Sequence, residues 1–269
     1  RDRPKGEGES VQLAHALTAV IRRNITMMKR YLFNTVSALV SIYIVFCLAF
    51  FGLKAFAAVS ASGALDGTFE GAIVGFFVWT LAIFGYSSAS WDLINEAQTG
   101  TLEQLYLSPA GFKWICTFSL VVDFLVNMVA AVAFLFAMMA TTGRWLNLDV
   151  VSIAPLIIVT VLGAYGTGFA LGGLALVFKR IQAFFQVIQF AFVGCLVIPS
   201  RIPWAKLLPL TTGNALIYRV MAEGKRLWEL PAADVLAALA VGVAYLAAGL
   251  AIFSACERAA KARGLLGHY

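Results

Sequence analysis

Residues 153–178 read IAPLIIVTVLGAYGTGFALGGLALVF, a run of 26 residues without a charged side chain. A helix of that length rises about 39 Å, more than the roughly 30 Å hydrocarbon core of a bilayer. Such a run is typical of a membrane-spanning helix. It contains five glycines: Gly163, Gly166, Gly168, Gly172 and Gly173. The Gly168-x-x-x-Gly172 spacing permits close approach of another helix, either within this chain or from a second copy.

The composition extends this conclusion to the whole chain. The 269 residues are 61% hydrophobic and 13% charged, whereas soluble domains average about 45–50% and about 25%. A soluble globular enzyme and a disordered chain are therefore both excluded. At roughly 20 residues a span, the length allows about six spans and no separate soluble domain of ordinary size.

We predict an all-α integral membrane protein with six transmembrane helices in a single domain, residues 33–269. The fifth predicted span is short for a full crossing, at about 16 residues. The predicted spans are Phe33–Phe51, Gly71–Ser90, Trp114–Ala140, Ile153–Phe178, Ala183–Ile198 and Ala232–Ala255.

Three segments outside the spans have patterns of their own. Residues 1–10 are polar and are expected to form a flexible tail. Residues 11–32 carry apolar side chains at helical spacing with basic residues between them, which predicts an amphipathic helix in the membrane interface; a fraying start to the first span is the alternative. Pro199–Pro231 is moderately apolar and broken by prolines, so we expect an outer re-entrant pair of short helices before the last span.

The basic residues predict the orientation. In the six-span arrangement, 13 of the 20 Lys and Arg residues lie on the side of the two termini. Cytoplasmic loops carry the excess of basic residues, so we expect a multi-pass protein of the cell (inner or plasma) membrane with both termini cytoplasmic. Five of the seven basic residues on the other side fall within Pro199–Pro231.

Polar side chains are rare inside the predicted spans, and four of them are candidates for a translocation path. Asp123 is the clear charge within a span, where charges commonly mark function, although it also lies close enough to the inner end of its span to pair with a basic residue. Gln182, Gln186 and Gln189 share one helix face, where they either line a cavity or tie helices together.

The sequence contains no GxxxxGK[ST], GxSxG or HExxH motif, so no ATP, metal or catalytic centre of those types is predicted in this chain. Because the basic residues sit beside apolar runs, we expect membrane lipid as a partner and no nucleic acid.

The most informative polar stretch lies between the second and third predicted spans. Residues 91–109 read WDLINEAQTGTLEQLYLSP. Thr101 is placed to cap a short helix that begins near Leu102, and Glu103 falls in its first turn, where the helix dipole favours an anion. Ser108 and Pro109 then end it. The pattern favours a short capped helix, with a plain loop as the alternative.

This stretch resembles the cytoplasmic motif of the ABC type-2 permease family, E-x-x-x-G-T-L-E-x-L-x-x-[ST]-P. The order of segments along the chain is also similar to that family, and Leu207–Thr211 with Asn214–Arg219 weakly resembles its N-P-L-T-Y…E-A-L-R stretch. The sequence departs from the family pattern at two points, which bear on the substrate subfamily more than on the fold. Ala97 and Gln98 stand where the family often has basic residues, and the second stretch lacks the Asn-Pro with which the family's stretch begins. The matching residues of the first motif are Glu96, Gly100, Thr101, Leu102, Glu103, Leu105, Ser108 and Pro109.

The resemblance implies the membrane subunit of an ABC exporter. Two separate ATPase subunits would then bind ATP and Mg, with no cofactor in this chain, and a second permease chain, identical or homologous, would complete the complex. Residues 91–109 would form the coupling helix that contacts the ATPase. The scarcity of charge suggests an amphipathic, lipid-linked or drug-like substrate. The rival interpretations are an ATP-independent secondary transporter or channel, and an integral membrane enzyme.

Overall fold

The structure, a computed structural model, describes residues 32–59, 66–98, 112–178, 182–200 and 202–262, together with Thr18, Ile21, Arg22 and Thr26. Helices account for nearly all of these residues, and no strand occurs among them. The α-helices are α1 (Leu32–Val59), α2 (Asp66–Gln98), α3 (Phe112–Thr142), α4 (Val150–Val177), α5 (Gln182–Val197), α6 (Thr211–Met221) and α7 (Ala232–Ala262).

The all-helical membrane class is confirmed. Five helices in the described part of the chain are long and apolar enough to cross a bilayer, namely α1, α2, α3, α4 and α7. The predicted fifth span corresponds to α5, which has 16 residues and rises about 24 Å, less than the roughly 30 Å hydrocarbon core. By length and composition, therefore, the structure has five candidate spans and one shorter apolar helix where the sequence predicted six spans.

Several helices are longer than the predicted spans, because helical hydrogen bonding continues beyond the apolar run that marks the span. The predicted second span ends at Ser90, but α2 continues to Gln98. The predicted last span ends at Ala255, and α7 continues to Ala262. The predicted tail and most of the predicted interfacial helix 11–32 lie outside the described residues. In the described part of residues 11–32, the Thr26 hydroxyl donates a hydrogen bond to the Arg22 carbonyl at 2.8 Å, as in a helical turn.

The core of the molecule is built around α2 and α4. In the stretches that are long and apolar enough to span a membrane, 61% of α2 and 50% of α4 is buried inside the protein. The buried share is 11% for α1 and 17% each for α3 and α7. The exposed sides of the outer helices are apolar, as Val129 and Leu48 illustrate. A helix that is apolar on its exposed side is suited to lipid rather than water.

Glycines allow α4 and α7 to touch backbone to backbone. A Cβ on Gly166 would collide with the Tyr245 carbonyl, and one on Gly242 would lie 2.7 Å from the Val159 carbonyl oxygen. One on Gly173 would lie 2.7 Å from the Phe253 Cα atom. Higher residue numbers on α4 therefore meet higher numbers on α7, so the two helices run parallel.

The direction of the other central helices follows from similar contacts. Gly168 of α4 lies against the backbone of Tyr86 in α2. Gly85 of α2 lies against Val161, and the Ser90 hydroxyl farther along α2 donates to the Gly168 carbonyl at 2.8 Å, so α2 runs parallel to α4. Gly168 is thus used for close packing within this chain, the first of the two alternatives for the Gly168-x-x-x-Gly172 spacing.

The short helix α5 runs in the opposite direction. The Trp79 indole donates to the Gln189 carbonyl at 3.3 Å, and the Tyr86 hydroxyl lies 3.5 Å from the Phe185 carbonyl that it donates to. Higher numbers on α2 meet lower numbers on α5, so α5 is antiparallel to α2. The chain therefore reverses direction at both ends of α5.

Between α5 and α7 the chain forms a 3-10 turn at Pro203–Leu207, then α6, then a second 3-10 turn at Leu227–Glu229. The sequence predicts two short helices here, and the structure has one α-helix flanked by two 3-10 turns. Leu210, just before α6, has φ 71°, a left-handed conformation that costs a non-glycine residue free energy. Its side chain is buried at 4% exposure, which fixes that conformation in place.

Close contacts hold α6 in the bundle. Gly213 packs directly on Thr160 of α4, where no Cβ fits. At the other end of α6, the Asn147 amide donates to the Met221 carbonyl at 2.9 Å, and the Leu227 amide donates to the Ser152 hydroxyl at 2.9 Å. The segment between α5 and α7 is thus packed against the beginning of α4.

The contact between α4 and α7 gives a first prediction. Gly166→Ala places a methyl group where the α7 backbone stands, and overpacking of this kind costs about 1–3 kcal/mol. We expect a lower midpoint in an SDS unfolding titration of the purified protein. Gly52→Ala is the matched control, because nothing lies within 4 Å of its added Cβ and alanine favours a helix interior. Equal effects of the two substitutions would contradict this account of the α4–α7 contact.

Candidate functional site

All but one of the residues predicted to contact an ATPase fall in the sequence between α2 and α3. Glu96 falls in the last turn of α2, so it is part of a long helix rather than of a loop. Gly100, Thr101, Leu102, Glu103, Leu105, Ser108 and Pro109 lie outside the described residues. Their contact role stays a prediction.

Three of the four predicted path residues do not line the large cavity that other described residues form. Asp123 is half-buried in α3, Gln186 is exposed and Gln189 is half-buried in α5. The side chain of Gln182, at the start of α5, is outside the described residues. On α5 the cavity is lined by Phe190, Val193 and Val197 among others, which lie nearer the end of the helix than the glutamines. Val193 comes four residues after Gln189 and so continues the glutamine face by one turn.

This cavity is a cleft of about 790 Å³ between α1, α2, α5 and α6. Apolar side chains form most of its walls, including Val45 of α1 and Phe76 of α2. Its volume lies within the roughly 300–1,000 Å³ of small-molecule sites. The polar residues that line it are Ser200, Thr211, Asn214, Tyr218, Arg219 and Glu223.

The cleft lies at one end of the bundle. It is lined by Gly71 and Gly75 near the beginning of α2 and by Val197 at the end of α5. The segment 99–111, which carries the family-like motif, follows the other end of α2. The cleft thus lies toward the beginning of α2, whereas Glu96 lies in its last turn.

A second, smaller cavity of about 280 Å³ adjoins the cleft. The two share Ser200, Ala215 and Arg219 in their walls. The small cavity is the more polar of the two and adds Lys206, Thr212 and Asp234. An apolar cleft therefore leads into a charged pocket.

Ion pairs surround both cavities. Asp234 is shared by Lys206, at 2.8 Å, and by Arg219, at 3.5 Å. Glu223 pairs with Lys225 at 2.7 Å, and Glu70 of α2 pairs with Arg144 at 3.4 Å. These are basic residues that the positive-inside count placed on the outer side of the membrane. The carboxylate partners offset the positive charge of these basic residues. For Arg144, Lys206 and Arg219 the partner is distant in the sequence.

Tyr218 stands between two of these carboxylates. Burial raises the pKa of its hydroxyl, and the negative charges of Glu70 and Glu223 raise that pKa further. The hydroxyl therefore stays protonated and able to donate a hydrogen bond at neutral pH.

Sequence reasoning missed this site because its residues come from separate segments of the chain and form no motif in the sequence. Lys206 and Arg219 stand out only as exceptions to the positive-inside rule. That exception is the signal that could have found the site: basic residues on the outer side, in a segment followed by Asp234, indicate local ion pairing.

A metal centre has no candidate ligands in the part of the chain that the structure describes. No group of three or more His, Cys, Asp or Glu residues able to hold a metal ion occurs there.

Two adjacent threonines at the start of α6 differ in their hydrogen bonding. The Thr211 hydroxyl donates to the Cys195 carbonyl at 2.6 Å. In a continuing helix that carbonyl would accept from residue 199, but Pro199 has no N–H. The Thr211 hydroxyl therefore supplies the hydrogen bond that the Cys195 carbonyl lacks at the end of α5. Thr212 is equally buried, at 4% exposure, and its hydroxyl has no hydrogen-bond partner.

This difference gives a second prediction. Thr211→Val leaves the buried Cys195 carbonyl unsatisfied, which costs about 1–3 kcal/mol. Thr212→Val removes a hydroxyl that makes no bond, so stability should stay the same or rise. The SDS unfolding midpoints of the two variants measure this. Equal losses in both would show that Thr211 does not end α5 in this way.

Comparisons of this chain with protein-family models, with curated proteins and with solved structures gave no match.

Proposed function

We propose that this chain is the permease subunit of an ABC exporter, which forms the translocation path and is coupled to separate ATPase subunits through residues 91–109. The observation that carries the proposal is the Glu96–Pro109 sequence motif, which begins in the last turn of α2 and ends before α3. The residues that would contact the ATPase are Glu96, Gly100, Thr101, Leu102, Glu103, Leu105, Ser108 and Pro109, and ATP and Mg would bind in the ATPase rather than in this chain. Two ATPase subunits and a second permease chain would complete the exporter.

The helix directions support six crossings. If α4 and α7 both span the membrane and run parallel, the chain between them crosses it an odd number of times. The helix antiparallel to them is α5, so we assign it the return crossing. Its 16 residues fall short of the usual length, and a shorter helix is accommodated by local thinning of the bilayer or by flanking residues.

The proposed orientation has both termini in the cytoplasm of the cell and the cleft at the outer side. The excess of Lys and Arg on the side of the termini supports it. The substrate would be amphipathic, lipid-linked or drug-like, and the apolar cleft of about 790 Å³ suits a molecule of that kind.

The crossing by α5 gives a third prediction. In a variant without the native cysteines, Phe178→Cys and Trp228→Cys place thiols at exposed positions before and after α5, at 59% and 66% exposure of the native side chains. We expect a membrane-impermeant thiol reagent to label Trp228→Cys in intact cells, and Phe178→Cys only after permeabilisation. Labelling of both from the same side would show that α5 does not cross.

Partner binding gives a fourth prediction. The tagged chain, extracted in mild detergent, should co-purify with an ATPase subunit, and Glu103→Arg should abolish this because it reverses a charge at the proposed contact. Glu229→Arg, an exposed carboxylate at the opposite end of the bundle, is the matched control and should retain the partner.

The outcomes separate the possibilities. Loss of the partner with Glu103→Arg alone supports both the function and the contact. Retention by both variants keeps the exporter and refutes these contact residues. If no ATPase accompanies the wild type in several detergents and in nanodiscs, the proposal fails and an ATP-independent transporter or channel takes its place.

A further inference from the structure

The two adjoining cavities differ in chemistry in a way that matches an amphiphile. The larger cleft has apolar walls from three helices, with Val45, Phe76 and Phe190 among them. The smaller pocket, about 280 Å³, is lined by Lys206, Arg219 and other polar residues. A ligand that fills both needs an apolar body and a polar end.

The charges at the polar end favour an anion. Two cations, Lys206 and Arg219, share the single carboxylate of Asp234, which leaves one positive charge without a counter-charge in this group. The other carboxylate in the cleft wall, Glu223, has its own cation in Lys225 at 2.7 Å. Both cations are half-buried, with 42% and 32% of their side chains exposed, so an anionic group in the pocket would form a charge-assisted hydrogen bond with the remaining positive charge.

A hydrogen-bond donor also points to a ligand. Thr212 lines the small pocket, and its buried hydroxyl has no hydrogen-bond partner. A buried polar group without a partner is costly, and an oxyanion in the pocket would supply the missing acceptor. Ser200, which lines both cavities, carries a second hydroxyl at their junction.

From these observations we infer that the chain binds an amphiphile with a single oxyanion headgroup, the headgroup between Lys206, Arg219 and Thr212 and the apolar chain along the cleft between α1, α2 and α5. If this ligand is the transported molecule, the inference rests on the proposed exporter function. Binding itself requires no ATPase, so it is measured on the isolated full chain and can fail or succeed independently of partner co-purification.

The test is an equilibrium binding assay with the full chain in nanodiscs of zwitterionic phosphatidylcholine. The probe is radiolabelled oleoyl lysophosphatidic acid, which carries a phosphate monoester and one acyl chain. We expect saturable binding that neutral mono-oleoyl glycerol displaces at least about tenfold less well, because it lacks the charge-assisted hydrogen bonds that the phosphate makes. Inorganic phosphate alone distinguishes a free-anion site, and we expect it to compete weakly.

Substitutions in the pocket are expected to change the affinity for the probe in opposite directions. Arg219→Gln should weaken binding of the probe about tenfold, and Thr212→Val should weaken it while leaving the unfolding midpoint unchanged or higher. Asp234→Asn should tighten binding, because it removes the carboxylate that competes with the ligand for both cations. Arg226→Gln is the matched control: Arg226 lies over the Trp228 ring, at 5.3 Å from its centroid, and lines neither cavity.

Two competition results, or either of two results with the variants, would overturn the inference. The first is displacement by mono-oleoyl glycerol as strong as by the unlabelled probe, which would make the cleft a non-selective apolar site. The second is competition by inorganic phosphate as strong as by the probe, which would make the pocket a free-anion site. The third is an equal effect of Arg219→Gln and Arg226→Gln, and the fourth is weaker binding in Asp234→Asn.

Discussion

The direct backbone contact between α4 and α7 is the constraint on which the rest of the structure depends. Gly166 and Gly173 on one helix, and Gly242 and Gly249 on the other, leave no room for side chains between the two backbones. In a bilayer, helices associate through close packing rather than through the hydrophobic effect, since lipid tails are as apolar as the side chains. Once α7 lies parallel to α4, the chain between them has to return, and α5 and the segment that follows take their positions from that requirement.

The same constraint places the cleft. The return segment packs against the beginning of α4 through Gly213, which fits on Thr160 only because it has no side chain. This holds α6 inside the bundle, and α6 carries the polar side chains Asn214, Tyr218 and Arg219 to the cleft. Arg219 and Lys206 come from the return segment, whereas Asp234 comes from the start of α7. The charged pocket therefore exists only because α6 and α7 are brought together at one end of the bundle.

The functional proposals rest on two separate parts of the molecule. The proposed ATPase contact rests on a sequence motif that begins in the last turn of α2, and the proposed ligand site rests on cavities near the beginning of that helix. Each part is open to its own experiment, since ligand binding needs no ATPase and ATPase binding needs no ligand.

Much of the fold was predictable from the sequence, and the reason is local. Membrane-spanning helices are specified by continuous apolar runs, so the class and the approximate positions of α1, α2, α3, α4 and α7 follow from composition and periodicity. The ends were less accurate, as with α2, because helical hydrogen bonding continues into polar residues such as Asn95 and Glu96. The sequence does not choose the partner of Gly168, since a spacing of small residues shows that a helix can approach but not which one.

By itself, then, the sequence determined that this is an all-helical membrane protein, with a family-like motif between two predicted spans and a proline-broken segment before the last helix. Only the tertiary structure decided which helices run parallel, where the cleft lies, and that Asp234 serves both Lys206 and Arg219. The physical reason is that apolar runs and caps depend on neighbours within a few residues. Ion pairs and cavities depend on residues that are distant in the chain and meet only when the helices pack.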